Sequence, residues 1–220
     1  MTTLSAREGY ELWARSYGPE TAVSALEEEA VRALDLPSTS RALLDVGCGT
    51  ARRMAQAHSE FAVGIDLSPA MLARASARQN VAVAHAAALP FADGAFDRVW
   101  CRLMIGHAAH FGAVYAELAR VCTLNGFVVV SDFHPDAVAA GHRRTFRDAT
   151  GVVREVEHYV HAIAAQESTA LRHGLELVTR READVGPTIE HFYDQAGAHA
   201  AYEAQRGLPL VVVLGFRRVR

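Results

Sequence analysis

The chain has 220 residues, half of them hydrophobic, with 22 basic and 25 acidic side chains and a formal net charge of −3. That size fits one domain burying roughly 70% of the surface its unfolded form exposes, and the charge argues against a general affinity for nucleic acid, which needs clustered Lys and Arg. The longest apolar run, 210–214, is far too short to span a bilayer, and no basic segment followed by an apolar core opens the chain.

Residues 11–34 read as one or two helices broken at Pro19, with the aromatics of ELWARSY on a partly apolar face. The second helix, 21–34, runs into a Pro-Ser-Thr-Ser linker. Strand-like segments at 42–46, 61–65, 81–84, 98–101 and 126–131 alternate with helical ones at 51–58, 69–78 and 111–122. This alternation predicts a parallel sheet. Ser68 ahead of Pro69 supplies a cap for its helix. Beyond His134 the pattern changes: 145–161 alternates around the turn-rich 148–151 and predicts a hairpin excursion. A helix at 162–173, a strand at 175–181, a helix within 188–205 and a final strand at 210–216 follow.

The stretch 42–50, ALLDVGCGT, reads as a buried strand entering a glycine-rich turn. Gly47 and Gly49 remove side chains that would block a ligand and tolerate positive φ. A helix starting near Thr50 would aim unpaired N–H groups at that ligand. Asp66 closes the apolar segment 61–65 and stands 21 positions beyond Asp45, near the roughly 20-residue spacing at which an acid accepts ribose hydroxyls. Arg52 occupies the place where a dinucleotide fingerprint has its third glycine, which disfavours NAD. Asp45, just ahead of the turn, suits a ligand with a cationic amine.

Four ordered blocks, LLDVGCGT, GIDLSPAMLARA, ALPFADGAFDRVWCRLMIGH and ELARVCTLNGFVVVSDFH, resemble the class I S-adenosylmethionine-dependent methyltransferases, of the type 11-like, small-molecule kind. The similarity is strongest over 43–132. It implies an α/β, single-domain Rossmann-like fold: a mainly parallel seven-stranded sheet, an antiparallel last strand and a small capping excursion after the fifth strand. It divides the chain into a helical lid at 1–40, a cofactor-binding core at 41–132, a substrate-capping region at 133–207 and the last strand at 208–220.

The cofactor implied is S-adenosylmethionine. By resemblance Asp45, Gly47, Cys48 and Gly49 meet its methionine part, Asp66 its ribose, and Leu67 and Met71 its adenine, with Cys101 also in the cofactor set. Where the family has an aspartate accepting from the adenine amine, this chain has His85. A neutral ring can accept through its bare nitrogen; otherwise adenine is left to the backbone at Ala86 and Ala87. Tyr10 and Tyr17, seven apart, resemble an aromatic lid, the alternative being a helix packed on the sheet edge.

Methyl transfer needs alignment and exclusion of water, and a base only where the nucleophile must lose a proton. Ligands of such sheets sit outside the carboxyl ends of the strands, where histidines concentrate. His134 is the first candidate base, with Asp132 to orient it and Pro135 to stiffen its loop, and His107 is the second. His110, His142 and Arg144 are candidates for substrate binding. Arg143, Arg144 and Arg147 form a cluster able to clamp a carboxylate or phosphate, or else a solvated face. His107-x-x-His110 and His158-x-x-His161 lack a completing carboxylate or cysteine, so no metal is expected.

The function expected is methyl transfer to an O, N or C nucleophile of a small metabolite, in biosynthesis, with no nucleic-acid or membrane partner and a homodimer left open. The sequence CRLM after the fourth strand lacks the Asn/Asp-Pro-Pro-aromatic signature of enzymes that methylate amino groups of DNA and glutamine. The alternative is a non-catalytic cofactor-binding module or a rearrangement catalyst on the same fold. Cys48, Cys101 and Cys122, in or beside apolar segments without metal-like spacing, suit a reducing cytoplasm.

Overall fold

The apolar runs of the sequence become strands wherever they can be covered on both faces. The structure is a computed structural model describing residues 3–18 and 20–220; the expected break at Pro19 lies outside the described residues. Strand β1 (Thr3–Leu4), helix α1 (Ala6–Trp13) and helix α2 (Ala22–Arg32) come first. Ser5 and Thr21 cap the two helices reciprocally with Glu8 and Ser24, satisfying N–H groups that lack helical partners.

The parallel half consists of β2 (Thr39–Val46), β3 (His58–Asp66), α3 (Pro69–Leu72), β4 (Asn80–Val83), β5 (Phe96–Arg102), α4 (Phe111–Val121) and β6 (Cys122–Phe133). The chain continues through α5 (Pro135–Ala139), β7 (Thr145–Arg147), β8 (Val153–Val156) and α6 (Ile163–Arg172). It ends with β9 (Leu175–Asp184), α7 (Pro187–Gln195), α8 (His199–Gln205) and β10 (Pro209–Arg218).

Seven strands form one sheet in the order β4-β3-β2-β5-β6-β10-β9. The first five are mutually parallel, and β10 runs antiparallel to both β6 and β9. From β2 the chain steps outward to β3 and β4, then returns to β5 on the other side, so strand order reverses between β2 and β5. A ligand crevice belongs outside the strand ends at such a point. Leu44, Val46, Val99 and Val130 pack on one face with Tyr115 and Leu118 of α4. Val129, Val211 and Val213 pack on the other with Leu26 and Ala30 of α2.

Four expected helices differ, the first of them, expected from residue 11, running instead over Ala6–Trp13. The one at 51–58 is absent: Ala51 takes φ of 56°, off the helical path, and β3 begins at His58, which pairs with Thr39. Only a single 3₁₀ turn, Met54–Gln56, fits between. The helix from Pro69 stops at Leu72, because Ser76 and Gln79 bond nearby backbone in its place: Gln79 Oε1 accepts the Ser76 N–H at 2.8 Å and Ser76 Oγ the Arg78 N–H at 3.4 Å. The region 188–205 holds two helices, divided at Gly197, whose φ is 64°.

The hairpin excursion forms as β7 and β8, and β1 adds to it as a parallel third strand. The Glu157 N–H bonds the Leu4 carbonyl at 2.8 Å. Gly9 of α1 presses on β8 so closely that a Cβ there would lie 2.8 Å from Val156 Cγ2. The amino-terminal helix and the excursion therefore make one cap over the carboxyl ends of the sheet. No helix among the described residues is long and apolar enough to cross a membrane.

Candidate active site

At the end of β2 the chain turns through Gly47 and Gly49, with φ of 77° and 56°, a region that disfavours any side chain. The Gly47 and Cys48 N–H groups both bond the Ile65 carbonyl, at 2.8 and 2.9 Å, fixing the turn to the end of β3. A Cβ on Gly47 would collide with the Met104 side chain. Asp66, the last residue of β3, accepts the Gly49 N–H at 2.8 Å through one oxygen and the Ser68 N–H at 2.9 Å through the other. Burial pushes its pKa up in spite of these bonds. The Ser68 hydroxyl caps α3 and donates to Glu11 at 2.9 Å, docking α1 beside the turn.

Asp45 lies beneath the turn, 3% exposed. Burial pushes its pKa up to about 6, and Arg102 and Arg53 oppose that through their charges. Arg102, at the end of β5, forks onto Glu27 of α2 at 2.8 and 2.7 Å and reaches Glu28 at 2.6 Å. Ser131 donates to the same Glu27 at 2.5 Å, and Arg53 lies 3.1 Å from it. This buried group ties α2 to the strand ends, and Arg53 and Arg102 also face the crevice.

The crevice is a cavity of about 330 Å³. Asp66, Leu67, Met71, His85 and Ala86 line one end, and Gly47, Cys48 and Gly49 its floor. Tyr10, Trp13 and Tyr17 roof it, and Met104, His107, Phe133 and Arg144 line the far end. In the roof Trp13 stacks on Tyr10 at 5.5 Å and on Phe146 at 4.8 Å, and Tyr17 meets it edge-on at 5.0 Å. Because α1 ends at Trp13, Tyr17 arrives from the turn beyond the helix and not from its face.

At the far end the Tyr10 hydroxyl lies 3.0 Å from His107 Nε2, and His107 Nδ1 lies 2.8 Å from the Glu157 carbonyl. A carbonyl only accepts, so Nδ1 carries the proton and Nε2 accepts from Tyr10. Burial, helped by the Arg144 charge, pushes His107 down to about 3, and burial pushes Tyr10 up to about 12. Asp132 Oδ1 accepts from His158 Nε2 at 3.0 Å and from Arg144 Nη2 at 3.2 Å. Burial would raise the Asp132 pKa, but the His158 hydrogen bond and the charges of His158 and Arg144 outweigh it and hold it low.

His134 does not join this group. The strand period would place Asp132 and His134 on one face, but β6 ends at Phe133 and His134 turns back to cap α5, accepting the Asp136 N–H at 3.1 Å. Its Nε2 lies 3.6 Å from Glu182 of β9, and Asp132, expected to orient it, serves His158 and Arg144. Cys101 is buried within the core, His110 is exposed at the start of α4 and His142 is half-buried; none of them, nor Asp45 or Ala87, lines the cavity. The basic cluster is divided: Arg144 is buried, whereas Arg143 and Arg147 are exposed and bond backbone carbonyls. His85 Nδ1 already accepts the Ala87 N–H at 3.1 Å, so the neutral ring offers Nε2 as a donor and not as the acceptor expected.

Trp13, Arg53, Arg102 and Met104 escaped the sequence reading, and His158 entered it only as a dismissed metal ligand. Trp13 carried a signal, three residues after Tyr10 and four before Tyr17. Arg102 carried none, since its partner Glu27 is 75 positions away.

Residues 44–130 match a family model described as a methyltransferase domain. Malonyl-acyl-carrier-protein O-methyltransferase of Legionella pneumophila is 28% identical over 194 residues, which are 75% of this chain and 68% of that protein. The chain spans about half the length of other curated relatives, 56% and 47% for two of them. An S-adenosylmethionine-dependent methyltransferase of Mesorhizobium loti superposes with a TM-score of 0.67 over 90% of this chain and 100% of that one, at 21% identity. The 4+2 cyclase SpnF does so with a TM-score of 0.66 over 99% and 97%, at 19% identity. Identities this low speak for the fold alone, while the family model and the curated relative speak for a methyltransferase. Over residues 44–130 and in its fold the chain is similar to the S-adenosylmethionine-dependent methyltransferases.

Proposed function

We propose that this enzyme methylates an oxygen, nitrogen or carbon nucleophile of a small metabolite held beneath its aromatic cap. The observation that carries the reading is the single cavity joining the glycine turn and Asp66 to His107 and Arg144, so that cofactor and acceptor would share one enclosed space. The residues present fit the cofactor. Gly47 and Gly49 leave the turn free of side chains, and Asp45, buried and without its own arginine fork, suits a cationic amine. Asp66 would hold the ribose, Leu67 and Met71 flank the adenine, and His85 would donate to an adenine ring nitrogen.

When bound, the cofactor supplies a methyl group activated by a positive sulfur. The chain's own residues align and exclude water: Tyr10, Trp13 and Tyr17 cover the crevice, and the network on Asp132 fixes its far wall. Such positioning can supply about 7 to 11 kcal/mol of the barrier. His107 is held neutral with both ring nitrogens engaged, so it positions Tyr10 and does not take a proton. The curated relatives named for rifamycin and hydroquinone substrates support small acceptors, and the one named for malonyl-acyl-carrier protein supports a small acyl group borne on a carrier. Buried, unpaired Cys101 and Cys122 fit a reducing compartment such as the cytoplasm.

Calorimetry with S-adenosylhomocysteine, followed by incubation with methyl-labelled S-adenosylmethionine and a metabolite panel, tests the reading. Tight cofactor binding and labelled product are expected. Binding without transfer to any small acceptor would overturn it.

A further inference from the structure

Arg144 is the feature of the acceptor end that the cofactor does not explain. It is 9% exposed, lines the cavity and lies over the Phe133 ring at 4.7 Å. Its Nη2 bonds Asp132, but that oxygen also serves His158 and the Phe133 N–H at 2.8 Å. Its Nε is buried with no hydrogen-bond partner among the described residues. A buried guanidinium N–H without an acceptor is costly, the Tyr10 hydroxyl lies beside the same guanidinium, and a buried cation on a cavity wall matches an anionic group such as a carboxylate.

The histidines of this wall offer no free base. His107 gives Nδ1–H to Glu157 and takes the Tyr10 proton at Nε2, His158 gives Nε2–H to Asp132, and His134 lies outside the cavity. A nucleophile that attacks here without help from these histidines is one that needs no proton removed before it attacks. A carboxylate satisfies both conditions at once: it pairs with the charge of Arg144, and it is already ionised at neutral pH.

Resting on the methyl-transfer reading above, we propose that the methyl acceptor is a carboxylate anchored by Arg144 and that the product is a methyl ester. One carboxylate oxygen uses a lone pair to form the new bond to the methyl carbon, while the carbon–sulfur bond breaks and its electron pair stays on sulfur. The negative carboxylate and the positive sulfonium cancel, no proton is released, and no further reactant is needed.

The test uses the full chain, methyl-labelled S-adenosylmethionine and the N-acetylcysteamine half-thioesters of straight-chain dicarboxylic acids, with matching amines, alcohols and phenols as controls. Label is expected in products that release methanol on mild alkali, at rates flat with pH across neutrality. R144Q is expected to lower kcat/KM for the carboxylate by about ten- to a hundredfold, mainly through KM, with R144K intermediate. Calorimetry should show the best carboxylate binding to the wild-type enzyme loaded with S-adenosylhomocysteine and not to R144Q, while both bind S-adenosylhomocysteine alike, which certifies the folded site. Alkali-stable label, label confined to the controls, no labelled carboxylate from an enzyme that binds cofactor, or unchanged kcat/KM in R144Q would each overturn the proposal. Failure of the wild-type enzyme to bind S-adenosylhomocysteine would instead strike the methyltransferase reading itself.

Discussion

The Tyr10 hydroxyl and His107 Nε2, 97 positions apart in sequence, lie 3.0 Å apart and join the amino-terminal helix to the loop after β5. Removing the hydroxyl leaves a buried ring nitrogen without a donor. Tyr10→Phe is expected to cost about 1–2 kcal/mol in urea denaturation. Tyr10→Ala, which also removes the ring stacked on Trp13, is expected to cost more and to weaken S-adenosylhomocysteine binding further.

With Asp45 assigned to the cofactor's amine, as proposed above, cofactor binding acquires a pH dependence of definite sign. Its folded pKa, about 6, lies above its ordinary 3.8 because of burial. The stabilisation from keeping it protonated is complete below the unfolded value and is lost as pH rises through about 6; it amounts to about 3 kcal/mol. A cationic amine needs the ionised form. S-adenosylhomocysteine affinity should therefore fall as pH drops below about 6, by up to about tenfold per unit. Asp45→Asn should abolish that dependence, weaken binding near neutrality and raise the stability of the free protein at about pH 8. Calorimetry across pH and denaturation of both proteins provide the check.

Glu27 and Arg102 are both buried, and each needs the other. Glu27→Gln removes the charge that matches Arg102 and half of its fork, so a loss of about 3–5 kcal/mol is expected in chemical denaturation. Joint replacement by apolar residues of similar volume should recover much of that loss. A single variant as stable as the wild type would show that the pair does not anchor α2.

His134 caps α5 and stands outside the cavity. His134→Ala is expected to lower stability by about 1 kcal/mol and to leave kcat and cofactor affinity unchanged. A large fall in kcat at unaltered stability would restore it as a catalytic residue.

The glycine-turn end of the cavity was legible because its signals are local. An apolar run, two glycines and an acid closing the next run each follow from a few neighbouring residues, and β2, β3 and the turn between them formed accordingly. The hairpin was legible for the same reason, from alternation around Asp148 and Gly151. The acceptor end was not. Asp132 meets His158 and Arg144 only after the chain has folded back over 26 and 12 positions, and two residues of displacement at the end of β6 turn His134 from the site to a helix cap. The missing helix after Gly49 was equally hidden, since nothing in the residue type of Ala51 announces a left-handed backbone.

The pairing of Leu4 with Val156, and the contact of Gly9 against the same strand, weld the start of the chain to the excursion that faces Arg144. The two flaps consequently form a single hood, held together by main-chain pairing and not by side chains alone.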